Sequence, residues 1–160
     1  MLSRYDAAVY HFSEALRLGP KTADIYLNMG NSQLSLNALN DAIASYTEAV
    51  RLNPKSIEAY INLGVAHLRN ENKEEAVRKF NEALKINPES VEAHANLGNA
   101  LYAQGKMAEA LKQFAVALRL KPDSREILNN INVIMRGQSV RIDEAEKKSG
   151  ATQTGNPQSP

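Results

Sequence analysis

The sequence contains no cysteine in its 160 residues. This absence excludes a disulfide framework, a zinc site with thiolate ligands and a cysteine nucleophile. No run of 18 apolar residues occurs, and no apolar stretch of signal-peptide length follows Arg4. The chain therefore lacks the pattern of a membrane-spanning helix and that of a secretory leader. If the chain is complete, we expect a soluble protein and favour the cytoplasm, although no residue pattern specifies a compartment.

Charge of neither sign is in excess, because 19 basic and 18 acidic residues give a net charge of +1. Without a broad positive field, the chain is not predicted to bind nucleic acid or an anionic membrane surface. Catalytic motifs are also missing: there is no G-x-S-x-G, no glycine-rich phosphate loop and no H-E-x-x-H. We interpret His67 and His94 as packing residues, since two imidazoles do not complete a zinc site. The sequence predicts no enzyme, no cofactor and no metal ion.

A repeat of 34 residues organises the chain, marked by prolines at 20, 54, 88 and 122. It defines units 23–56, 57–90 and 91–124, of which the last two share 13 of 34 residues. Small and aromatic residues recur at fixed places in each unit. These are Gly30, Gly64 and Gly98 at the eighth residue, Ala42, Ala76 and Ala110 at the twentieth, Tyr46, Phe80 and Phe114 at the twenty-fourth, and Ala49, Ala83 and Ala117 at the twenty-seventh.

Apolar residues within a unit recur at spacings of three and four, which predicts two amphipathic helices, here called the first and the second helix. Asn37, residues 70–72 and Gly105 lie between the two patterns, where a left-handed turn residue is expected. The glycines and alanines are expected where backbones approach closely. Helices this short are marginal alone, so we expect the hairpins to be stabilised by stacking on one another.

This pattern resembles the tetratricopeptide repeat family, through Gly64, Ala76, Phe80, Ala83 and Pro88 and their equivalents. The resemblance covers residues 1–136 and implies an all-α fold: a right-handed α-solenoid of antiparallel helical hairpins with about eight helices. Residues 1–22 match only half a repeat, a second helix whose apolar face around Phe12 is uncovered. We expect either a fragment of a longer array or self-association through this N-terminal helix. Residues 125–136 predict a capping helix with Ile127, Leu128, Ile131 and Ile134 inward, and residues 137–160 a polar, disordered tail.

In proteins of this family the first helices line a concave groove with their second, fifth, sixth, ninth and twelfth residues. The sixth residue is asparagine in every unit and in the capping helix. A carboxamide both donates and accepts hydrogen bonds, so a row of asparagines suits the backbone of an extended ligand. The predicted groove residues are Asn28, Asn31, Asn62, Asn96, Asn99, Asn130, Leu27, Ile61, Val65, Leu68 and Tyr102.

Two interpretations of the asparagine row stay open. It resembles the row in the superhelix of O-linked N-acetylglucosamine transferases, which holds protein substrates by their backbones, but asparagine at this place also bonds neighbouring helices. The carboxylate clamp that some family members use for chaperone C-termini is not expected, because Glu92 stands where that clamp needs a basic residue. Acids at the second residue, Asp24, Glu58, Glu92 and Glu126, either offset helix dipoles or favour a basic ligand.

The sequence therefore predicts a protein–protein interaction module, a scaffold that binds an extended protein or peptide segment in its concave groove. The alternative is the C-terminal substrate-docking array of a larger enzyme, such as a glycosyltransferase. A third possibility is an array that assembles with itself. The residues describe a groove chemistry and do not identify the partner.

Overall fold

The computed structural model describes residues 4–136, and every regular element in that range is a helix. Over these residues the chain is all-α, as expected from the sequence. The helices are α1 (Arg4–Leu18), α2 (Ala23–Ser35), α3 (Leu39–Leu52), α4 (Ile57–Arg69), α5 (Lys73–Ile86), α6 (Val91–Ala103) and α7 (Met107–Leu120). Residues 125–136 are also helical and are called the terminal helix below. The tail predicted over 137–160 lies outside the described residues.

A hydroxyl side chain caps the N-terminus of α2, α4 and α6, and this cap fixes the residue at which each helix begins. Thr22, Ser56 and Ser90 accept hydrogen bonds from the backbone N–H of the third helical residue, at 3.4, 3.2 and 3.2 Å. The second helices α3, α5 and α7 each follow a turn that contains a residue with positive φ. These residues are Asn37 at 58°, Glu71 at 60° and Gly105 at 79°. The expected left-handed turns are therefore present, and in the middle unit Glu71, not an asparagine beside it, adopts the conformation.

The eighth and twenty-fourth residues of a unit meet at the crossing of its two helices. A Cβ atom added to Gly64 would lie 2.5 Å from Cε1 of Phe80, closer than atoms can approach. The same construction on Gly30 meets Tyr46 at 2.6 Å, and on Gly98 meets Phe114 at 2.8 Å. The aromatic ring lies directly on the backbone of the first helix, so any side chain larger than hydrogen displaces it. The glycines, expected where two backbones approach, instead admit an aromatic ring against the backbone of the first helix.

The core is distributed along the stack. One buried cluster contains Ala42, Tyr46, Leu63 and Ala66 and joins the first two units. A second cluster runs from Ile61 to Ile134 and joins α4, α5, α6, α7 and the terminal helix. Each helix packs on its hairpin partner or on a helix of the adjacent unit. The described chain is therefore a solenoid of helical hairpins, with no central core.

The two ends of the described chain are covered less well. Helix α1 contains no buried residue, and Phe12 is only half-buried, whereas the equivalent rings in the three units are buried. In the terminal helix Ile127 and Ile134 are buried and Ile131 is half-buried, as expected.

Leu128 was expected to face inward, but it is 41% exposed. Its equivalent in the third unit, His94, contacts Gln113 of the second helix. Leu128 has no such second helix beside it within residues 4–136, which explains its exposure. None of the described helices is long and apolar enough to cross a membrane.

Candidate binding groove

A groove of about 550 Å³ lies where three first helices meet, α4, α6 and the terminal helix. Of the residues predicted to bind a partner, it brings together Asn62, Val65 and Asn96. The full lining is Asn62, Val65, Val91, Glu92, Ala95, Asn96, Lys121, Ser124, Glu126 and Ile127. The stacking of hairpins places all first helices side by side, so residues of three repeats share one surface.

Two members of the asparagine row bond to a neighbouring first helix. Asn62 donates from Nδ2 to Oδ1 of Asn31 at 3.0 Å, and Asn130 donates from Nδ2 to Oδ1 of Asn99 at 3.1 Å. In both pairs the sixth residue of one helix meets the ninth residue of the preceding first helix. The structural role weighed for the row therefore applies at these two positions.

The pairing is interrupted at Asn96. The ninth residue of the preceding first helix is Val65, whose side chain offers no acceptor. The Asn96 carboxamide makes no hydrogen bond with any residue in the range 4–136, although it is half-buried in the groove. Asn96 thus presents an amide oxygen and an amide nitrogen that the described protein leaves unused.

Asn28 lies in a different depression. It is exposed, and it lines a cavity of about 390 Å³ between α1 and α2, together with Tyr5, Ala8 and Phe12. The four asparagines of the row therefore have three different surroundings, which the identical repeat position does not reveal.

Tyr46 takes part in the amide network, although the sequence did not point to it. Its hydroxyl donates to Oδ1 of Asn31 at 2.8 Å, the same atom that accepts from Asn62. Burial, aided by the carboxylate of Glu58, raises the pKa of Tyr46, so the hydroxyl remains a donor. With Oδ1 occupied twice, Asn31 keeps only Nδ2 for a ligand. One feature of the sequence could have indicated this contact. The first unit, 23–56, has tyrosine at its twenty-fourth residue where the other two units have phenylalanine, and it also has asparagine at its ninth residue.

The apolar residues predicted for the groove are less accessible than expected. Ile61 is only 3% exposed and belongs to the core, so its prediction as a groove residue is wrong. Of the fifth residues, Ala95 does line the groove. Leu27 and Leu68 are half-buried and pack against the core clusters.

Tyr102 is 40% exposed at the end of the row. It lines a small pocket of about 80 Å³ with Asn99 and Asn130. This pocket is too small for more than one side chain, and it lies apart from the lining of the larger groove.

The charged residues of the groove were not predicted as site residues. Glu92 and Glu126 are exposed, each in the first turn of its helix, and Lys121 lies at the end of α7. None of these three groups has an ion pair or hydrogen bond within residues 4–136. The groove lining therefore carries two carboxylates and one ammonium group, all available to a ligand.

The histidines have structural surroundings. His94 contacts the side-chain oxygen of Gln113 at 2.8 Å and the carbonyl oxygen of Pro88 at 2.9 Å. Burial lowers the pKa of His67, whose Nδ1 atom is buried without a partner among the described residues. No group of three or more residues suited to hold a metal ion lies within residues 4–136.

The fold is shared with several solved structures. The crystal structure of MamA matches with a TM-score of 0.78 and 24% identity, covering 91% of each chain. The first tetratricopeptide repeat domain of Spaghetti (RPAP3), bound to the HSP90 peptide SRMEEVD, matches with a TM-score of 0.71 and 24% identity, over 74% of this chain and 94% of that one. YrrB, described as having an unusual peptide-binding site, matches with a TM-score of 0.74 and 25% identity, over 78% of this chain and 64% of that one.

No curated protein sequence matches the chain. The tetratricopeptide repeat family model, however, matches residues 2–57, 27–90 and 61–125. These overlapping segments span most of the sequence and follow the repeat that the prolines and glycines mark. The chain therefore belongs to the tetratricopeptide repeat family.

Proposed function

We propose that this protein is an interaction module that holds an extended segment of a partner protein in the groove between α4, α6 and the terminal helix. It acts by binding and not by catalysis. The observation that carries the proposal is the carboxamide of Asn96, which lies half-buried in this groove without a hydrogen-bond partner among the described residues.

The chemistry of the groove suits a peptide backbone. Asn96 can accept from a peptide N–H and donate to a peptide C=O at the same time. Asn62 uses Nδ2 to bond Asn31, and its Oδ1 remains available as an acceptor. Val65 and Ala95 supply apolar surface in the same groove lining. Backbone bonds of this kind provide affinity with little demand on ligand sequence, while the side chains around them provide selectivity.

The similar structures support binding of a peptide by this fold, because two of them are described by a bound peptide or a peptide-binding site. The acidic peptide of the Spaghetti complex is not the ligand we propose. Glu92 stands in the groove at a place where a carboxylate-binding site needs a basic residue, so an acidic ligand would be repelled.

The test compares the effects of replacing Asn96 and Asn62 on peptide affinity and on thermal stability. Peptides that bind the full chain are selected from a phage-displayed library of random dodecapeptides, and their affinities are measured by fluorescence anisotropy. Asn96→Ala should weaken binding about tenfold, because two hydrogen bonds of about 0.5–1.5 kcal/mol are lost. Its thermal midpoint should stay unchanged, since Asn96 has no partner in the described protein. Asn62→Ala should lower the midpoint, because Asn31 loses a bond.

Unchanged affinity in the Asn96→Ala variant would contradict the proposal. The alternative drawn from the sequence, a docking array within a larger enzyme, would use the same groove, and no observation on residues 4–136 favours it over a separate module.

A further inference from the structure

Building on the proposed function, we propose that the partner segment is basic: an extended protein segment whose lysine or arginine side chains lie against Glu92 and Glu126. The groove would then select its ligand by the charge along one edge and hold it by the amides on its floor.

The first observation concerns which acids are paired. The second residue of each first helix is acidic, and all of these residues are exposed and lack an ion pair or hydrogen bond within residues 4–136. They are Asp24, Glu58, Glu92 and Glu126. The ion pairs in the described chain use other acids, which lie on second helices or on the turn before α5. These are Glu14, Glu48, Glu71, Glu75 and Glu82. None of the four second-residue acids is therefore paired within residues 4–136, whereas the acids of the second helices are paired in part.

Helix capping does not use these carboxylates. In α4 and α6 the N-cap bond is already made by Ser56 and Ser90, to the third helical residue. A capping box needs a carboxylate at that third residue, which is Ala59 or Ala93 here. A favourable interaction with the helix dipole accounts for an acid anywhere in the first turn. It does not account for the choice of the second residue, which in α6 and in the terminal helix places the carboxylate in the groove lining.

The second observation is that Glu92 and Glu126 both line the same groove as Asn96. Lys121 is the one base in that lining and pairs with neither acid. The groove lining therefore has one net negative charge, in a chain whose overall charge is +1. A cationic side chain beside Asn96 gains an attraction that an anionic one does not.

The spacing of the helices indicates how the cations would be arranged. Neighbouring first helices bond through their side chains, as in Asn99 and Asn130, which is typical of axes about 10 Å apart. An extended segment of polyproline II type advances about 3.1 Å per residue and returns to the same face every third residue. Basic residues three apart would therefore reach Glu92 and Glu126 in turn.

The experiment compares peptide selections against three full-length proteins. The first is the unchanged protein, and the second is the Glu92→Lys/Glu126→Lys variant. The third is a control, Glu74→Lys/Glu109→Lys, which makes the same change of charge at exposed, unpaired acids on second helices. Each protein selects from the same library of random dodecapeptides, and the selected peptides are measured by anisotropy at low and high salt.

We expect the unchanged protein and the control to select peptides enriched in lysine and arginine, with binding that weakens as salt is raised. The Glu92→Lys/Glu126→Lys variant should bind those peptides at least tenfold more weakly and should itself select acidic peptides. Peptides without a charge preference, or an affinity that survives the charge reversal, would overturn this inference. If such peptides still require Asn96, the proposed function stands alone; if no peptide is selected at all, both proposals fall.

Discussion

Single residues decide the turns between the two helices of each unit, where one residue takes positive φ. Glycine adopts this conformation without steric cost, whereas a residue with a Cβ atom pays about 1–2 kcal/mol. Gly105 carries the turn in the third unit and Glu71 in the second. Glu71 also forms an exposed ion pair with Lys73 at 3.7 Å, which contributes little. The second turn is therefore the more strained of the two.

This difference predicts opposite effects of two substitutions. Gly105→Ala should lower the free energy of unfolding by about 1 kcal/mol, and Glu71→Gly should raise it by up to about 1 kcal/mol. A Cβ atom on Gly105 meets no atom within 4 Å, so the cost there is conformational. Urea unfolding followed by circular dichroism measures the free energy of unfolding of both variants. Changes of the same sign in the two variants would show that φ is not the cause.

His67 predicts a dependence of stability on pH. Burial lowers its pKa from the ordinary value of 6.5, an effect that Lys79 and Arg78 reinforce and Glu75 opposes. Between pH 6.5 and that lower pKa the unfolded chain binds more protons than the folded chain, so stability falls as the pH falls through this window. At neutral pH and above, the contribution is fully present.

The measurement is the thermal midpoint from pH 7.5 down to about pH 5.5. His67→Leu is the matched variant, because Leu101 occupies the equivalent position in the third unit. It should lose this part of the pH dependence, because it has no titratable group at this position. Parallel curves for the two proteins would exclude His67 as the group responsible.

At the scale of the helices, adjacent units are joined by different polar contacts. The first and second units share the Asn31–Asn62 bond, and Arg69 donates to the carbonyl oxygen of Leu34 and to Asn37 at 3.1 and 3.0 Å. The second and third units meet at Val65 without an amide pair. The amide of Asn96 is therefore left without a partner because the neighbouring helix carries Val65 where α2 carries Asn31.

Val65→Asn should therefore give Asn96 the partner that Asn62 and Asn130 already have. Peptide binding should weaken about tenfold, because the new bond occupies Asn96, while the thermal midpoint changes little. Val65→Ala is the control, since it removes the same apolar contacts without adding an acceptor. Equal losses of affinity in the two variants would mean that the apolar contact of Val65, and not the amide of Asn96, holds the peptide.

At the scale of the whole molecule, the stack has a poorly covered face on α1. Tyr5 is 47% exposed there and lines the cavity between α1 and α2, together with Ala8 and Phe12. Self-association through this helix, predicted from the sequence, stays a prediction. An apolar face of this kind is typical of a contact with another helix.

Sedimentation velocity over a concentration series tests self-association through α1. The sedimentation coefficient of the unchanged protein should rise with concentration, and Tyr5→Ser should reduce the rise. Tyr10→Ser is the control, because Tyr10 is exposed on the same helix but does not line the cavity. A monomer at every concentration would contradict self-association.

The sequence by itself determined the all-α hairpin array. Its signals are local: the 34-residue period, the glycine and aromatic residues at each crossing, and the polar turns. Each reflects packing within one unit, so it repeats with the unit and can be recognised from spacing alone.

Only the tertiary structure decided which asparagines are free, because a hydrogen bond between Asn31 and Asn62 depends on the register of two helices in different units. The same packing buried Ile61, which a repeat position alone placed in the groove. Identical positions in the repeat have unequal surroundings because each one faces a different neighbour, and the neighbour of Asn96 is a valine.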